Sequence, residues 1–410
     1  MTDRRDEFPR HAGGPDDPPA VPFPWAEYEG LHLDPRYARL REHGPLRVRV
    51  PHGDDAWLVT RHEDVRTVLA DPRFSRAAAA EHDEARLTPE PVNTSILGMD
   101  PPQHTRLRRL LTGAFTARRI ASLRPRVREL ADDLVARARR QGPPADLVED
   151  FAIPLTGLIA CEYLGVPTAD HTRFRTWLDA FSSTTSLSPE EIRRRTGALY
   201  AYLAELVERR RADLGDDLVS KLIQDQQGGA ELSDRQLVEL VGVLLIAGYE
   251  TSAAQLVNSI HVLLERPQRW EELRRDPSLV PAAVDELLRF VPLDAYVAFA
   301  RYAVADVELG GALVRAGEAV LPVIPAANRD GAVFDDPEEV DFHRRSNPHL
   351  GFGHGIHHCL GAALARIELE EGIAAVLHGF PELRGAIPLA EMPWRKGIQV
   401  RIMRALPVRW

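Results

Sequence analysis

The chain has 410 residues, 44% of them hydrophobic and 27% charged, enough to bury a large core. A net charge of −10 excludes a generally basic nucleic-acid-binding surface. Two cysteines, Cys161 and Cys359, exclude a disulfide framework and fit a reducing cytoplasm.

Residues 1–25 are rich in Pro, Gly and Asp, with basic residues but no apolar segment. They read as a flexible arm rather than a signal peptide. A short helix is predicted over 33–44, followed by strands LRVRV and AWLVT joined by the turn residues 51–55 as a hairpin. From about 101 to 283 apolar residues recur at intervals of three and four, which predicts a mainly helical stretch. Ser233 with Gln236 forms a capping box before an apolar helix over 237–263. The longest apolar stretch of interest there, 240–248, falls short of the ~20 residues that a bilayer requires, so no membrane association is expected. Residues 301–324 shorten into strands, with Gly310 and Gly311 at a turn. A last helix follows Cys359, and the tail is strand-like. The expected fold is mainly α with a minor β portion. About 150 residues per domain would give two or three units. No clean linker divides the chain, which favours a single domain over 26–410.

The most specific text is FGHGIHHCLGAALAR at 352–366. A glycine-rich turn places Cys359 just before a helix, where backbone N–H groups and the positive end of the helix dipole favour a thiolate. Gly355 and Gly361 permit tight turns or close approach to a flat ligand. A thiolate held in this way is a good axial ligand for haem iron. A lone cysteine is more often a small buried hydrophobe, and that reading suits Cys161 in apolar PLTGLIACEYLGVP. Zinc is the other alternative, but His354, His357, His358 and Cys359 lack the paired spacing of zinc ligands.

This loop resembles the signature of the cytochrome P-450 haem-thiolate monooxygenases, F-x-x-G-x-x-x-C-x-G, at Phe352, Gly355, Cys359 and Gly361. His357 stands where that family commonly has a basic partner for a haem propionate. Three further phrases occur in family order. ELLR at 286–289 matches E-x-x-R, and the resemblance implies a buried Glu286–Arg289 pair joined by Arg344, with a structural role. AGYETS at 247–252 interrupts an apolar helix with an acid and an alcohol, costly to bury without partners. On residues alone, Thr251 bonds back to the Ala247 carbonyl. The resemblance adds that Ala247 and Gly248 lie beside the haem and leave room for O2, that Thr251 hydrogen-bonds it, and that Glu250 relays protons. DPPQHTRLR at 100–108 would otherwise be read as the start of a surface helix. By resemblance His104 and Arg108, with Arg301 from the later strand, reach the propionates. The likeness runs from about residue 33 to Trp410.

The resemblance implies one cytochrome P-450 fold holding haem b between the oxygen-activation helix and the helix after Cys359. The implied function is insertion of one atom of O2, by hydroxylation or epoxidation, into a moderately large and mostly apolar natural product such as a polyketide. Oxidative coupling or peroxide-driven oxidation is the alternative, and a non-enzymatic haem protein the third class. No flavin or iron–sulfur motif is visible, so ferredoxin and its reductase are the expected electron donors. Arg108, Arg109 and Arg366 are candidates to meet an acidic partner. The candidate pocket comprises apolar Val243, Leu244, Ala247, Val291, Leu293 and Val297, with Asp294 and Tyr296 able to orient a hydroxyl or an amine. A cytoplasmic monomer is expected.

Overall fold

The computed structural model describes residues 19–28, 30–91, 95–297 and 299–410. The helical stretch resolves into Gln103–Thr112, Ala117–Ala121, Arg124–Gln141, Ile153–Leu164, His171–Ser182, Pro189–Ala212, Leu218–Gln227, Asp234–Leu264, Pro267–Arg275 and Val280–Phe290. The central helix Asp234–Leu264 packs against Ile153–Leu164, Pro189–Ala212 and Ala362–Gly379, the helix that follows the cysteine loop. Its apolar positions run right round its circumference because neighbours cover nearly every side. It is also the one helix among the described residues long and apolar enough to cross a bilayer, but more than half of its most apolar window is buried inside the protein. The 240–248 count underestimated it, because the apolar pattern continues through small and polar residues to Leu264.

The predicted hairpin forms, with Leu46 opposite Leu58 and Val48 opposite Ala56. It lies in a six-stranded sheet ordered Val21–Pro22, Leu46–Arg49, Ala56–Val59, Ala319–Pro322, Arg301–Ala303, Phe74–Ser75. Ala56–Val59 is buried at every position because both faces are covered. Ala56 and Leu58 point into one apolar cluster, and Trp57 and Val59 into the other. Gly310 and Gly311 take φ of 56° and 90°, the left-handed pair that a two-residue hairpin between Val307–Leu309 and Ala312–Val314 demands.

The expected arm ends earlier than residue 25. Val21–Pro22 pairs in parallel with Val48 and Arg49, and Phe23 is buried in the cluster behind the sheet, so apolar burial outweighs the disorder that the composition predicts. Residues 1–18 of that arm lie outside the described residues.

The Ser233 hydroxyl accepts from the Gln236 N–H, and the Gln236 side chain accepts from the Ser233 N–H. Ser233→Ala should cost about 1 kcal/mol of local stability. Amide exchange in the first turn of the central helix should then quicken about fivefold, with the remaining helices unchanged.

Candidate haem-thiolate site

The site rests on a buried ion network. Arg289 grips Glu286 with two bonds, Nε to Oε2 at 2.9 Å and Nη2 to Oε1 at 2.7 Å, and both side chains are almost fully buried. Arg344 adds Nε to Oε2 at 3.2 Å, and the Asp341 N–H donates to Oε1 at 3.0 Å. The remaining Arg289 donors go to the carbonyls of Asn328, Pro337 and Glu339. One carboxylate thus ties Val280–Phe290 to the irregular segment 328–347, and that segment leads directly into the cysteine loop. The Asn328 side chain continues the link by accepting from the Leu350 N–H at 2.7 Å.

The loop is a tight backbone shape. The Cys359 N–H donates to the Phe352 carbonyl at 2.9 Å. Gly355 has φ +71°, and a Cβ there would stand 2.4 Å from the Leu69 carbonyl oxygen, so the position demands glycine. Gly361, by contrast, has a negative φ and open space beside it. Its N–H contributes by donating to the Cys359 thiol. Cys359 is solvent-accessible although it lies deep in the molecule, as a residue on an internal cleft does. Burial raises its pKa, and the Gly361 N–H, Arg108 and Arg366 oppose that rise. Cys161 is fully buried, and burial pushes its thiol up to about 12.

Cations gather beside this loop. The rings of His104 and His357 lie 4.4 Å apart, and Arg108 Nη2 donates to the His358 carbonyl at 2.6 Å. Burial, then Arg301 and His104, push His357 down to about 3; burial and Arg76 push Arg301 down to about 10. His104 and Arg108 are also lowered, chiefly by burial. His104 Nε2, His357 Nε2, Arg301 Nε and Arg76 Nη2 are buried without a hydrogen-bond partner. Orphaned donors around mutually repelling cations indicate an anion. The two carboxylates of a haem suit this set, and the deep, reachable Cys359 suits its iron.

On the central helix, Ala247 is exposed in the middle of an otherwise buried segment, and Gly248 has no atom within 4 Å of where a Cβ would stand. Thr251 Oγ1 donates to the Ala247 carbonyl at 2.5 Å, and the helix continues unbroken through this bond. Glu250 turns the other way. It accepts from Arg395 Nη1 at 2.9 Å, and Arg395 Nη2 reaches Asp179 at 2.8 Å. Burial raises the Glu250 pKa against the pull of Arg395. Tyr249 packs over Gly157, where a Cβ would meet its ring at 2.6 Å.

Of the pocket residues expected from sequence, Leu244, Ala247, Leu293, Asp294 and Tyr296 keep accessible surface. Val243, Val291 and Val297 are packed in the core, and Tyr296 joins an aromatic cluster with Phe23 and Tyr28. Three groups escaped the sequence reading. Arg76 follows the ADPRFS phrase, Arg395 lies in tail text without a motif, and Glu368 sits in the helix after the cysteine. Burial pushes Glu368 up to about 8 while its carboxyl bonds Ser252. An acid on the buried face of an apolar helix was the one visible signal for it.

The Cytochrome P450 family profile matches residues 36–383. The chain belongs to the cytochrome P450 family. It is 50% identical to nocardicin C N-oxygenase of Nocardia uniformis subsp. tsuyamanensis over 95% of this chain and 98% of that protein. It is 48% identical to mycinamicin IV hydroxylase/epoxidase of Micromonospora griseorubida over the same shares, 95% and 98%. The crystal structure of HinD with NMFT and NO superposes with a TM-score of 0.94 at 56% identity, covering 96% of this chain and all of that one. The protein is accordingly a haem b monooxygenase that uses O2, a small-molecule substrate and an external electron donor.

Glu286→Gln cannot answer both arginines and leaves charge buried. It should cost about 3–5 kcal/mol and yield protein with depressed haem content, measured by thermal unfolding and by haem absorbance per polypeptide.

Proposed function

We propose that this cytochrome P450 is a soluble, cytoplasmic monomer that hydroxylates or epoxidises a moderately large, mostly apolar natural product with electrons from a ferredoxin and its reductase. The observation that carries the reading is the internal cleft itself. It combines a deep but reachable thiol, a helix turn left open at Ala247 and Gly248, and four basic side chains that each keep a buried nitrogen without a partner.

Cys359 is assigned as the axial ligand. His104, Arg108, Arg301 and His357 are assigned to the propionates, with Arg76 beside them. Phe352 and Gly355 shape the loop that aims the thiolate. Haem, when bound, supplies the reductive activation of O2. The protein's part is to place a substrate carbon over it, exclude water and deliver protons. Gly248 leaves volume at the reacting position. The Thr251 hydroxyl, parked on the Ala247 carbonyl, needs one torsional rotation to donate elsewhere. Glu250, its proton affinity raised by burial against the pull of Arg395, stands one residue away as a group able to take up and pass on a proton. Its partner Arg395 connects it to the partly exposed Asp179, a route toward solvent. Both named relatives oxidise natural products, and the accessible Leu244, Ala247 and Leu293 suit an apolar substrate of that kind. On the cysteine side Arg109 is exposed, while Arg366 is engaged by Asp285 at 2.9 Å. Arg109 therefore offers the freer cation to an acidic ferredoxin.

The reduced carbon monoxide complex should show the strongly red-shifted Soret band of thiolate ligation, lost in Cys359→Ala. Thr251→Ala should keep that band while product formed per electron consumed falls about tenfold or more. Full product yield from peroxide alone, untouched by Thr251→Ala, would instead favour the peroxide-driven alternative.

A further inference from the structure

The connection between Val280–Phe290 and the strand that carries Arg301 holds a carboxylate, Asp294, without a direct ion-pair partner among the described residues. Asp294 lies deep in the molecule yet keeps accessible surface, the same combination that marks Cys359 as a cleft residue. Its main chain is fixed. It bridges Val400 of the C-terminal tail, the Ala295 N–H donates to the Gln399 carbonyl at 2.6 Å, and the Arg401 N–H donates to the Leu293 carbonyl at 2.8 Å.

No described donor hydrogen-bonds the Asp294 carboxyl, and no cation stands within the 4.0 Å of an ion pair. Arg401, whose field reaches it, makes no ion pair with it: its two terminal nitrogens are committed to main-chain carbonyls, and its Nε is buried without a partner. Its Nη1 donates to Gly30 and His32 at 3.2 and 2.8 Å, and its Nη2 to Ala295 at 2.9 Å. Glu250 and Asp179, by contrast, share Arg395. Of the other candidate pocket residues that keep accessible surface, Leu244, Ala247 and Leu293 are apolar, and Tyr296 packs among aromatic rings. An unanswered carboxylate on an apolar cleft is costly in the free enzyme, and a ligand cation removes that cost on binding.

We propose that Asp294 is the anionic anchor of the substrate pocket, selecting natural products that carry a protonated or quaternary nitrogen. This rests on the reading of the cleft as a monooxygenase pocket. A neutral substrate of the same shape leaves the carboxylate unpaired, so discrimination comes from the free enzyme's unmet charge as much as from the new contact. Burial pushes the Asp294 carboxyl up to about 6, against the pull of Arg401. The anchor is therefore charged at neutral pH and is lost as the pH falls below that value.

The test compares two probes on the holoenzyme by calorimetry. One is decyltrimethylammonium, a cation unable to ligate iron, and the other a tert-butyl-ended ether of equal length. Wild type should bind the cation about tenfold more tightly near neutral pH. That preference should shrink below pH about 6 as the carboxylate takes up a proton. Asp294→Asn should bind both probes alike, the cation more weakly than wild type does and the ether no more weakly. Equal binding of the two probes by wild type, or a preference that persists in Asp294→Asn, overturns the proposal. Should that variant not fold, a wild-type preference indifferent to pH overturns it equally. The carbon monoxide spectrum separates the two levels. A thiolate band without cation preference sinks the anchor alone, whereas a missing band in wild type sinks the monooxygenase reading beneath it.

Discussion

One buried carboxylate organises the geometry on which the chemistry depends. Glu286 is nearly inaccessible and receives bonds from Arg289, Arg344 and the Asp341 main chain. A lone charge in that position would be prohibitive, so the chain must bring both arginines to it. In doing so it fixes segment 328–347 against Val280–Phe290 and sets where the cysteine loop begins. The loop then needs only its own short-range bonds and the glycine at 355 to present Cys359. The strength of the network lies in its completeness, because every guanidinium nitrogen of Arg289 finds an acceptor.

The haem side follows the opposite logic. His104, Arg108, Arg301, His357 and Arg76 converge, and although Glu84 answers Arg76 and Asp100 lies nearby, several of their nitrogens are left without partners. Such a cluster opposes its own assembly, and burial shifts its histidines toward the neutral form. It makes sense as a receptor for a dianionic ligand whose binding then contributes to the stability of the fold. The orphaned donors and the saturated Glu286 network thus mark two kinds of buried charge. One is complete in the polypeptide, and the other leaves donors free for an anion.

The central helix divides its duties by face. Most of its circumference is ordinary core, and the accessible turn at Ala247 and Gly248 is the exception. Thr251 borrows the Ala247 carbonyl, Glu250 leans on Arg395 from the tail, and Ser252 meets the buried acid Glu368. Three consecutive polar residues therefore point in three directions, each satisfied by a different part of the chain. A 31-residue apolar helix can carry them only because its neighbours supply those partners.

Features governed by local periodicity were legible in the sequence. The hairpin at 46–59, the capping box at Ser233, the glycine turn at 310–311 and the long apolar helix each depend on residues a few positions apart. So does the cysteine loop, whose glycines, cysteine and following helix form one contiguous phrase. The i, i+3 spacing of Glu286 and Arg289 was legible too, but its burial was not, since that depends on Arg344 and on carbonyls up to 53 positions beyond Glu286. The tertiary structure alone decided that Arg395 comes from the tail to Glu250 and Arg401 to the Ala295 carbonyl, that Arg76 joins the basic cluster, and that Glu368 faces Ser252. It also withdrew Val243, Val291 and Val297 into the core and left Asp294 with accessible surface. The physical reason is the same in each case. Sequence periodicity sets which way a side chain leaves its own element, whereas burial and charge pairing depend on what distant segments bring to meet it.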